Sequence, residues 1–441
     1  MKNKKYTFYT FLGILLVCKF VYWLFTFPNP DEAYYWLWGR FPALSYHDHP
    51  ALQALIQGMF YKIFGKSLFV LRLPVFICLM ICTLIYYRLL KRMNQSVDIP
   101  LVMLTFFSIP LFFIFTSFAW HDYMMITMIL SSGYFWLNYL TDKWDGKNGK
   151  SKDIFLAFTF LGMAALSKYN SVFVAFAMAS VVIINKPLRS VLKDVRIYLG
   201  IILCLFIIAP IFIWNIQNQY GSFKFTLGQR TLDPLLKGNF FSGNIAGFII
   251  GSIALITPFT WWFLIRNRKY IQQSKRNAYS SYEIVYRKIA KHLFLWSSLT
   301  FLCLSTFSNV LYYWNIPAYI FILPLWIVLL LKIKKEKLNA ILVYSAIVNV
   351  LIVIHFSVLP LNSFIDGVED KDGALYYGWP SIGNKIETLI NENPKELQIL
   401  TTSYRTASLL SFQLDRSDIY SYSPRFDQFD YWTNKLTYDK Q

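Results

Sequence analysis

Two adjacent carboxylates, Asp31 and Glu32, follow the first apolar run of this chain. Acidic groups beside lipid are costly to keep, so they mark a functional site by default. The plainer alternative is that Asp31 opens a helix as its N-cap. Farther on come Tyr46-His47-Asp48-His49-Pro50, then His121-Asp122, Lys168 and Gln229-Arg230, again near the ends of apolar runs. A carboxylate can take the proton of an attacking hydroxyl. Lys and Arg can stabilise the anion that builds up as a phosphate leaves. His47, Asp48 and His49 are also zinc-ligand types, or a turn in which Asp48 orients a neighbouring cation. The plainer readings of the rest are that His121-Asp122 caps a helix, that Lys168 and the mid-run Lys19 snorkel to the interface, and that Arg230 meets lipid headgroups.

The elements that must position these groups are membrane helices. Of 441 residues, 56% are hydrophobic, 19% aromatic and only 15% charged. Several apolar runs reach the ~20 residues that cross a bilayer. The formal charge of +19 gathers in short loops between those runs, the positive-inside pattern, and does not indicate nucleic acid. The five cysteines lie in apolar segments and form no disulfide framework. The N-terminal apolar run lacks a small-residue cleavage site and reads as the first helix rather than a signal peptide.

If every basic cluster faces the cytoplasm, an even number of crossings separates neighbouring clusters. That parity predicts helices at about 7–27, 68–87, 99–117, 123–140, 197–214, 244–265 and 338–357, with two more between Lys291 and Lys332. The run Asp153 to Asn185 is too long for one crossing: as one helix it would reach roughly 50 Å against a ~30 Å hydrocarbon core. It is predicted to split at Lys168 into two short helices with a recessed outer apex. The sum is about eleven helices, N-terminus inside and C-terminus outside. The outer loops then carry Asp31, Glu32, His47, Asp48, His49, His121, Asp122, Lys168 and Arg230. Acids and bases from four separate segments share one side, which the plainer readings do not explain together.

Residues 361–441 are more polar and free of Cys. Strands are predicted at Leu397 to Thr402 and Asp418 to Tyr422, and helices at Ile382 to Asn391 and Thr406 to Gln413. The fold class is therefore mainly α: a transmembrane domain over 1–360 and a small outer α/β domain over 361–441.

The stretch Asp31-Glu32-Ala33-Tyr34-Tyr35-Trp36-Leu37-Trp38, with Tyr46-His47-Asp48-His49-Pro50-Ala51-Leu52, resembles bacterial members of the protein O-mannosyltransferase and lipid A aminoarabinose transferase superfamily. Weaker collinear similarities follow at Arg72-Leu73-Pro74, Asp122, Gly162 to Tyr169, Trp214-Asn215, Ser222 to Arg230, Trp314 to Tyr319, Gly378-Trp379 and Ser403-Tyr404-Arg405. The resemblance implies a multi-pass GT-C glycosyltransferase. Such an enzyme moves a sugar, with inversion, from a polyprenyl phosphate (undecaprenyl phosphate) to lipid A, a glycan or a protein at the periplasmic face of the bacterial inner membrane. Asp31 matches the family's essential acid and is the candidate base, with Glu32 beside it. Asp122 matches its second acid and would position the acceptor or tune Asp31. Lys168, Arg230 and His49 would serve the donor phosphate, supported by Asp48, His47, Tyr34 and Tyr169. His49 stands where aminoarabinose transferases carry Lys, and Tyr34 where they carry Arg, which weakens the case for aminoarabinose as donor. No metal is expected to be obligatory, although Asp31, Asp48 and Asp122 offer a possible divalent site. The alternatives are a polyprenyl-lipid flippase and a metal-dependent membrane hydrolase built on His47, Asp48, His49, His121 and Asp122.

Overall fold

A computed structural model describes residues 2–93, 97–236, 243–269, 279–364, 373–392 and 398–432. Parts of the expected loops at 215–243 and 266–291, and the chain end at Gln441, lie outside them. The architecture is helical: α1 (Lys2–Phe25), α2 (Pro30–Trp38), α3 (Leu52–Phe64), α4 (Leu68–Met93), α5 (Ile99–Ser108), α6 (Pro110–Phe115), α7 (His121–Trp144), α8 (Ser151–Ser167), α9 (Val172–Ile184) and α10 (Val195–Gln217). Then follow α11 (Ile245–Ile256), α12 (Pro258–Arg266), α13 (Ser281–Leu304), α14 (Ile316–Ile333) and α15 (Glu336–Ser357). Each segment expected to cross is helical. Five described helices are long and apolar enough to span alone, and seven spans result if the bent pair α11–α12 and the pair formed by α9 with Lys186–Lys193 each count as one. The remaining expected crossings, α5–α6, α7, α8 and α13, are shorter or carry more polar groups.

The basic loops meet each other at one end of the bundle. Lys335 pairs with Asp98 at 2.8 Å, Lys143 with Asp194 at 3.2 Å, and Lys337 donates to Asn267 at 3.0 Å. The predicted split at Lys168 is present: its extended backbone (φ −159°, ψ 139°) separates α8 from α9. With 17 and 13 residues, these helices rise only ~25 and ~20 Å, so the apex is sunk and Lys168 is 6% exposed.

Lys19 does not snorkel. It is 2% exposed, and its Nζ donates to the Thr116 carbonyl at 3.0 Å, to Thr116 Oγ1 at 3.0 Å and to Ser117 Oγ at 2.8 Å. A cation suits these carbonyls at the end of α6. Trp23 and Trp214 are also buried. Trp23 donates to the Ser117 carbonyl and Trp214 packs on Tyr431.

The helix carrying the acidic pair starts with a full capping box. Asn29 Oδ1 accepts from the backbone N–H groups of Asp31 and Glu32, both at 3.1 Å, and Glu32 reaches back to the Asn29 N–H at 3.2 Å. Pro30 sits at the first helical position, where its missing N–H costs nothing. Asn29 is therefore the cap, and the Asp31 side chain is left for another use. Gly39, at the end of α2, and Gly58 of α3 touch backbone to backbone, so that a Cβ on Gly58 would collide with the Gly39 carbonyl.

Glu32 is corrected from a catalytic to a structural residue. It is 0% and Arg72 of α4 is 1% exposed. Arg72 Nε and Nη2 donate to the two Glu32 oxygens at 3.0 and 2.7 Å. Arg72 Nη1 also donates to the carbonyls of Tyr22 and Thr26, both at 2.8 Å. Glu32 further accepts from Tyr22 Oη at 2.9 Å and from the Ala119 N–H at 2.8 Å. One buried ion pair thus joins α1, α2, α4 and the turn before α7.

The tail forms α16 (Trp379–Glu392), β1 (Ile399–Thr401), α17 (Tyr404–Leu414), β2 (Ile419–Ser421) and α18 (Phe429–Trp432). The two strands pair in parallel, Ile399 opposite Ile419, as the predicted α/β pattern requires; Leu397 lies outside the described residues. The tail shares one hydrophobic core with α2 and α3: Phe412 packs on Trp36 at 5.0 Å, and Trp379, Leu409 and Phe429 join Trp36 and Trp38 in that cluster. Lys66 caps α17 through the Phe412 and Gln413 carbonyls at 3.0 and 2.9 Å.

Arg72→Met leaves the Glu32 charge buried and unpaired, which should cost about 3–5 kcal/mol. Thermal denaturation in detergent should show a clearly lower midpoint; a midpoint equal to wild type would contradict the structural role.

Candidate active site

Opposite the basic loops, a polar cavity of about 200 Å³ is lined by Asp31, Tyr34, Tyr35, Asp48, His49, Trp120, His121, Asp122, Lys168, Arg230, Leu311, Tyr313, Trp314, Tyr404, Arg405 and Arg425. It brings together the four loop segments that the sequence singled out. Among its lining residues are Asp31, Asp122, Lys168, Arg230, His49, Asp48 and Tyr34, all expected from sequence.

Asp31 occupies the first turn of α2, and among the described residues no hydrogen bond or ion pair engages its carboxylate. Burial raises its pKa above the usual carboxylate value; Arg405, Arg425 and Arg230 oppose that rise and Asp48 adds to it. A carboxylate with raised proton affinity and no fixed partner is suited to take a proton.

Asp122 lies on the first turn of α7 and holds Lys168 with both oxygens at 2.8 Å. It engages the cation rather than Asp31. The Lys168 ammonium also sits 5.3 Å from the Tyr313 ring centre. Asn170 ties the apex to the 3-10 turn before α14 by donating to the Trp314 carbonyl at 3.0 Å. Arg230 comes from a π-helical turn, Lys224–Leu232. Its guanidinium lies over the Phe225 ring at 4.2 Å, and among the described residues no acid pairs with it. That leaves its donors for an anion.

Asp48 is fully engaged. Arg425 Nη2 donates to Oδ1 at 2.6 Å and Tyr34 Oη to Oδ2 at 3.2 Å. Tyr34 thereby supports the site through Asp48. Tyr169 shares a 2.6 Å hydrogen bond with Ser222 and lines the neighbouring groove. His47 does not line the cavity: its buried ring lies between Phe225 at 4.6 Å and Phe426 at 5.3 Å. Among the described residues, no three of His, Cys, Asp and Glu are grouped to hold a metal ion. The trio Asp31, Asp48 and Asp122 is not such a group, since Asp48 and Asp122 are each committed to a cation.

His49 needs a correction of role. Its ring lies 4.5 Å from that of His121 and 5.9 Å from Tyr35. Burial drives its pKa well below the usual histidine value, and His121, Lys168, Arg230 and Arg425 push the same way. Burial and the neighbouring cations thus disfavour the charged form of His49 that a third cation for a phosphate would need.

The cavity wall formed by Tyr404, Arg405 and Arg425 was not anticipated as part of the site. Tyr404 and Arg405 fall in a stretch of weak family resemblance. Nothing in the pattern around Arg425 marks it, because its place depends on how the tail folds back.

A second space, about 300 Å³ and mainly apolar, adjoins the first. It is lined by Val172, Phe173, Leu227, Phe301 and Leu304 and shares Asp48, His49, Lys168, Arg230 and Trp314 with the polar cavity.

The chain superimposes on the crystal structure of ArnT from Cupriavidus metallidurans bound to undecaprenyl phosphate with a TM-score of 0.65, at 14% identity, over 97% of this chain and 88% of that one. For the apo state of the same protein the values are 0.64, 14%, 99% and 89%. Residues 48–214 match the family of dolichyl-phosphate-mannose-protein mannosyltransferases. That match covers less than half of the chain, beginning after Asp31 and ending before Arg230. No curated protein sequence matches. The fold is that of a polytopic GT-C membrane protein, as the sequence resemblance implies.

Because its pKa lies below the usual value, His49 should stay neutral from pH 6 to 8. In histidine-labelled protein, the imidazole signal lost in His49→Gln should not titrate over that range. A His49 signal titrating near the ordinary histidine value of about 6.5 would contradict the assignment.

Proposed function

We propose that this protein transfers a sugar from a polyprenyl-phosphate donor to an acceptor held in the polar cavity. One observation carries the reading: the polar cavity and the apolar groove meet at Lys168 and Arg230. A molecule with a long apolar chain, a phosphate and a polar head fits that order of surfaces. The chain lies against Phe173, Phe301 and Leu304, the phosphate at the two cations, and the sugar points towards Asp31. The mannosyltransferase match over 48–214 and the likeness to an ArnT structure holding undecaprenyl phosphate support this reading.

The chemistry follows from the charges. An acceptor hydroxyl attacks the anomeric carbon from the side opposite the phosphate, so configuration inverts. The sugar–oxygen bond breaks, and its electron pair goes to the phosphate oxygen. Asp31 takes the hydroxyl proton. Lys168 and Arg230 receive the growing phosphate charge in a site partly shielded from water. Asp122 keeps Lys168 in place. For a phosphate acceptor there is less proton to remove, and Asp31 mainly orients it. The activated donor brings its own leaving group, so no nucleotide is required.

The basic loops at the opposite end support a reading in which the cavity faces outward from a bacterial inner membrane and the N-terminus is cytoplasmic. The acceptor class is lipid A, another envelope glycan or a protein.

Two variants separate binding from chemistry. Lys168→Ala removes charge-assisted hydrogen bonds worth ~1.5–3 kcal/mol and should weaken undecaprenyl phosphate binding in detergent by at least tenfold. Asp31→Asn should leave that binding within about threefold and lower transfer by ~10²–10⁴. Transfer is followed as a sugar-sized mass gain on envelope lipid, glycan or protein from cells with matched expression. Equal binding by wild type and Lys168→Ala would remove the phosphate role. An unchanged mass gain in Asp31→Asn would remove the base.

A further inference from the structure

The tail returns to the membrane domain through a strap from Arg425 to Trp432. Arg425 pairs with Asp48 at 2.6 Å. The Gln428 side chain accepts from the His47 N–H at 2.8 Å, and its own N–H donates to Tyr34 Oη at 2.9 Å. Phe429 stacks on Tyr34 with ring centres 6.1 Å apart. Tyr431 packs on Trp214 at 5.2 Å and Trp432 on Phe41 at 4.7 Å. Asp427, Gln428 and Phe429 are 1–2% exposed. The middle of the strap is packed as core, while Arg425 and Phe426 at its start are exposed.

Two features of Arg425 go beyond packing. Its partner Asp48 directly precedes His49, so the ion pair fixes the turn that delivers His49 to the cavity. Its guanidinium also lines that cavity with Asp31, 5.2 Å from the Tyr404 ring centre and 5.3 Å from that of Phe225. We propose that Arg425 is a positioning residue for the transfer, locking the Asp48–His49 turn in place and setting a fixed positive charge opposite Asp31. The C-terminal domain is then a wall of the active site. This rests on the transfer reading for its consequence, but its physical content concerns Asp31 alone and can be measured without substrate.

The groups acting on Asp31 from its surroundings are Arg405 and Tyr404 on α17, Arg425 on the strap, Asp48 in the loop after α2, Arg230 in the π-helical turn, and Tyr35 and Tyr313; the cavity they share also holds His49, His121, Asp122 and Lys168. Removing the Arg425 charge leaves burial and Asp48 less opposed, so Asp31 should hold its proton to higher pH. The test titrates the Asp31 carboxyl by infrared spectroscopy, using the difference between each background with and without Asp31→Asn. In Arg425→Ala the midpoint should rise by about half a pH unit or more. Arg425→Lys should restore most of it, and Arg416→Ala, which breaks an exposed pair with Asp418, should leave it at wild type. Undecaprenyl phosphate binding in detergent should persist in Arg425→Ala. In membranes carrying native donor and acceptor, the acid limb of the mass-gain rate should move by the same amount. An unmoved midpoint, an equal shift in Arg416→Ala, or loss of binding together with the shift would overturn the proposal. If wild-type membranes add no sugar, the transfer reading fails, and the infrared midpoint still decides the role of Arg425.

Discussion

The buried Glu32–Arg72 pair is the constraint on which the site depends. Arg72 gathers the carbonyls that end α1, and Glu32 gathers the cap of α2 and the N–H of Ala119. Asp31 is the neighbour of Glu32, and Asp122 begins α7 just after Ala119. The same interaction therefore sets where both cavity acids stand. A buried ion pair is weak evidence for net stability, because desolvation opposes the attraction. Here every side-chain nitrogen of Arg72 and both oxygens of Glu32 have at least one partner, and the pair's main product is register between four elements.

From that register the charges of the cavity divide cleanly. Lys168 is committed to Asp122 and Arg425 to Asp48, while among the described residues Asp31 has no fixed partner and Arg230 no acid. The cavity thus sets an unengaged carboxylate among four cations, Lys168, Arg230, Arg405 and Arg425, with His49 and His121 on the same wall. The apolar groove opens where the cations lie. Lys19, satisfied at the end of α6, serves the same scaffold by fixing α1 against the turn before α7.

Much of this was legible in the sequence. The parity of basic loops located every expected helix, and the length of Asp153 to Asn185 forced the break at Lys168. Short β-rich and helical stretches located the elements of the tail. Glu32 was misread because its neighbour Asp31 and its place after a membrane helix look the same whether a carboxylate faces a cavity or an arginine; only the position of Arg72 decides. His49 was misread because its charge depends on burial and on cations from three other segments. Arg425 was invisible because the tail's return over the cavity is a tertiary event with no local pattern. The Asn29 cap was readable from Asn29-Pro30 followed by Glu32, and it explains why Asp31 is not the cap.

The account rests on one cavity serving phosphate, sugar and base together. The most direct measurement is a cryo-electron microscopy structure of the full-length protein with undecaprenyl phosphate. The phosphate should lie between Lys168 and Arg230 and the chain along Phe173, Phe301 and Leu304, with Asp31 across an open space large enough for a sugar. A phosphate bound away from Lys168 and Arg230, or a lipid chain filling the space before Asp31, would contradict it.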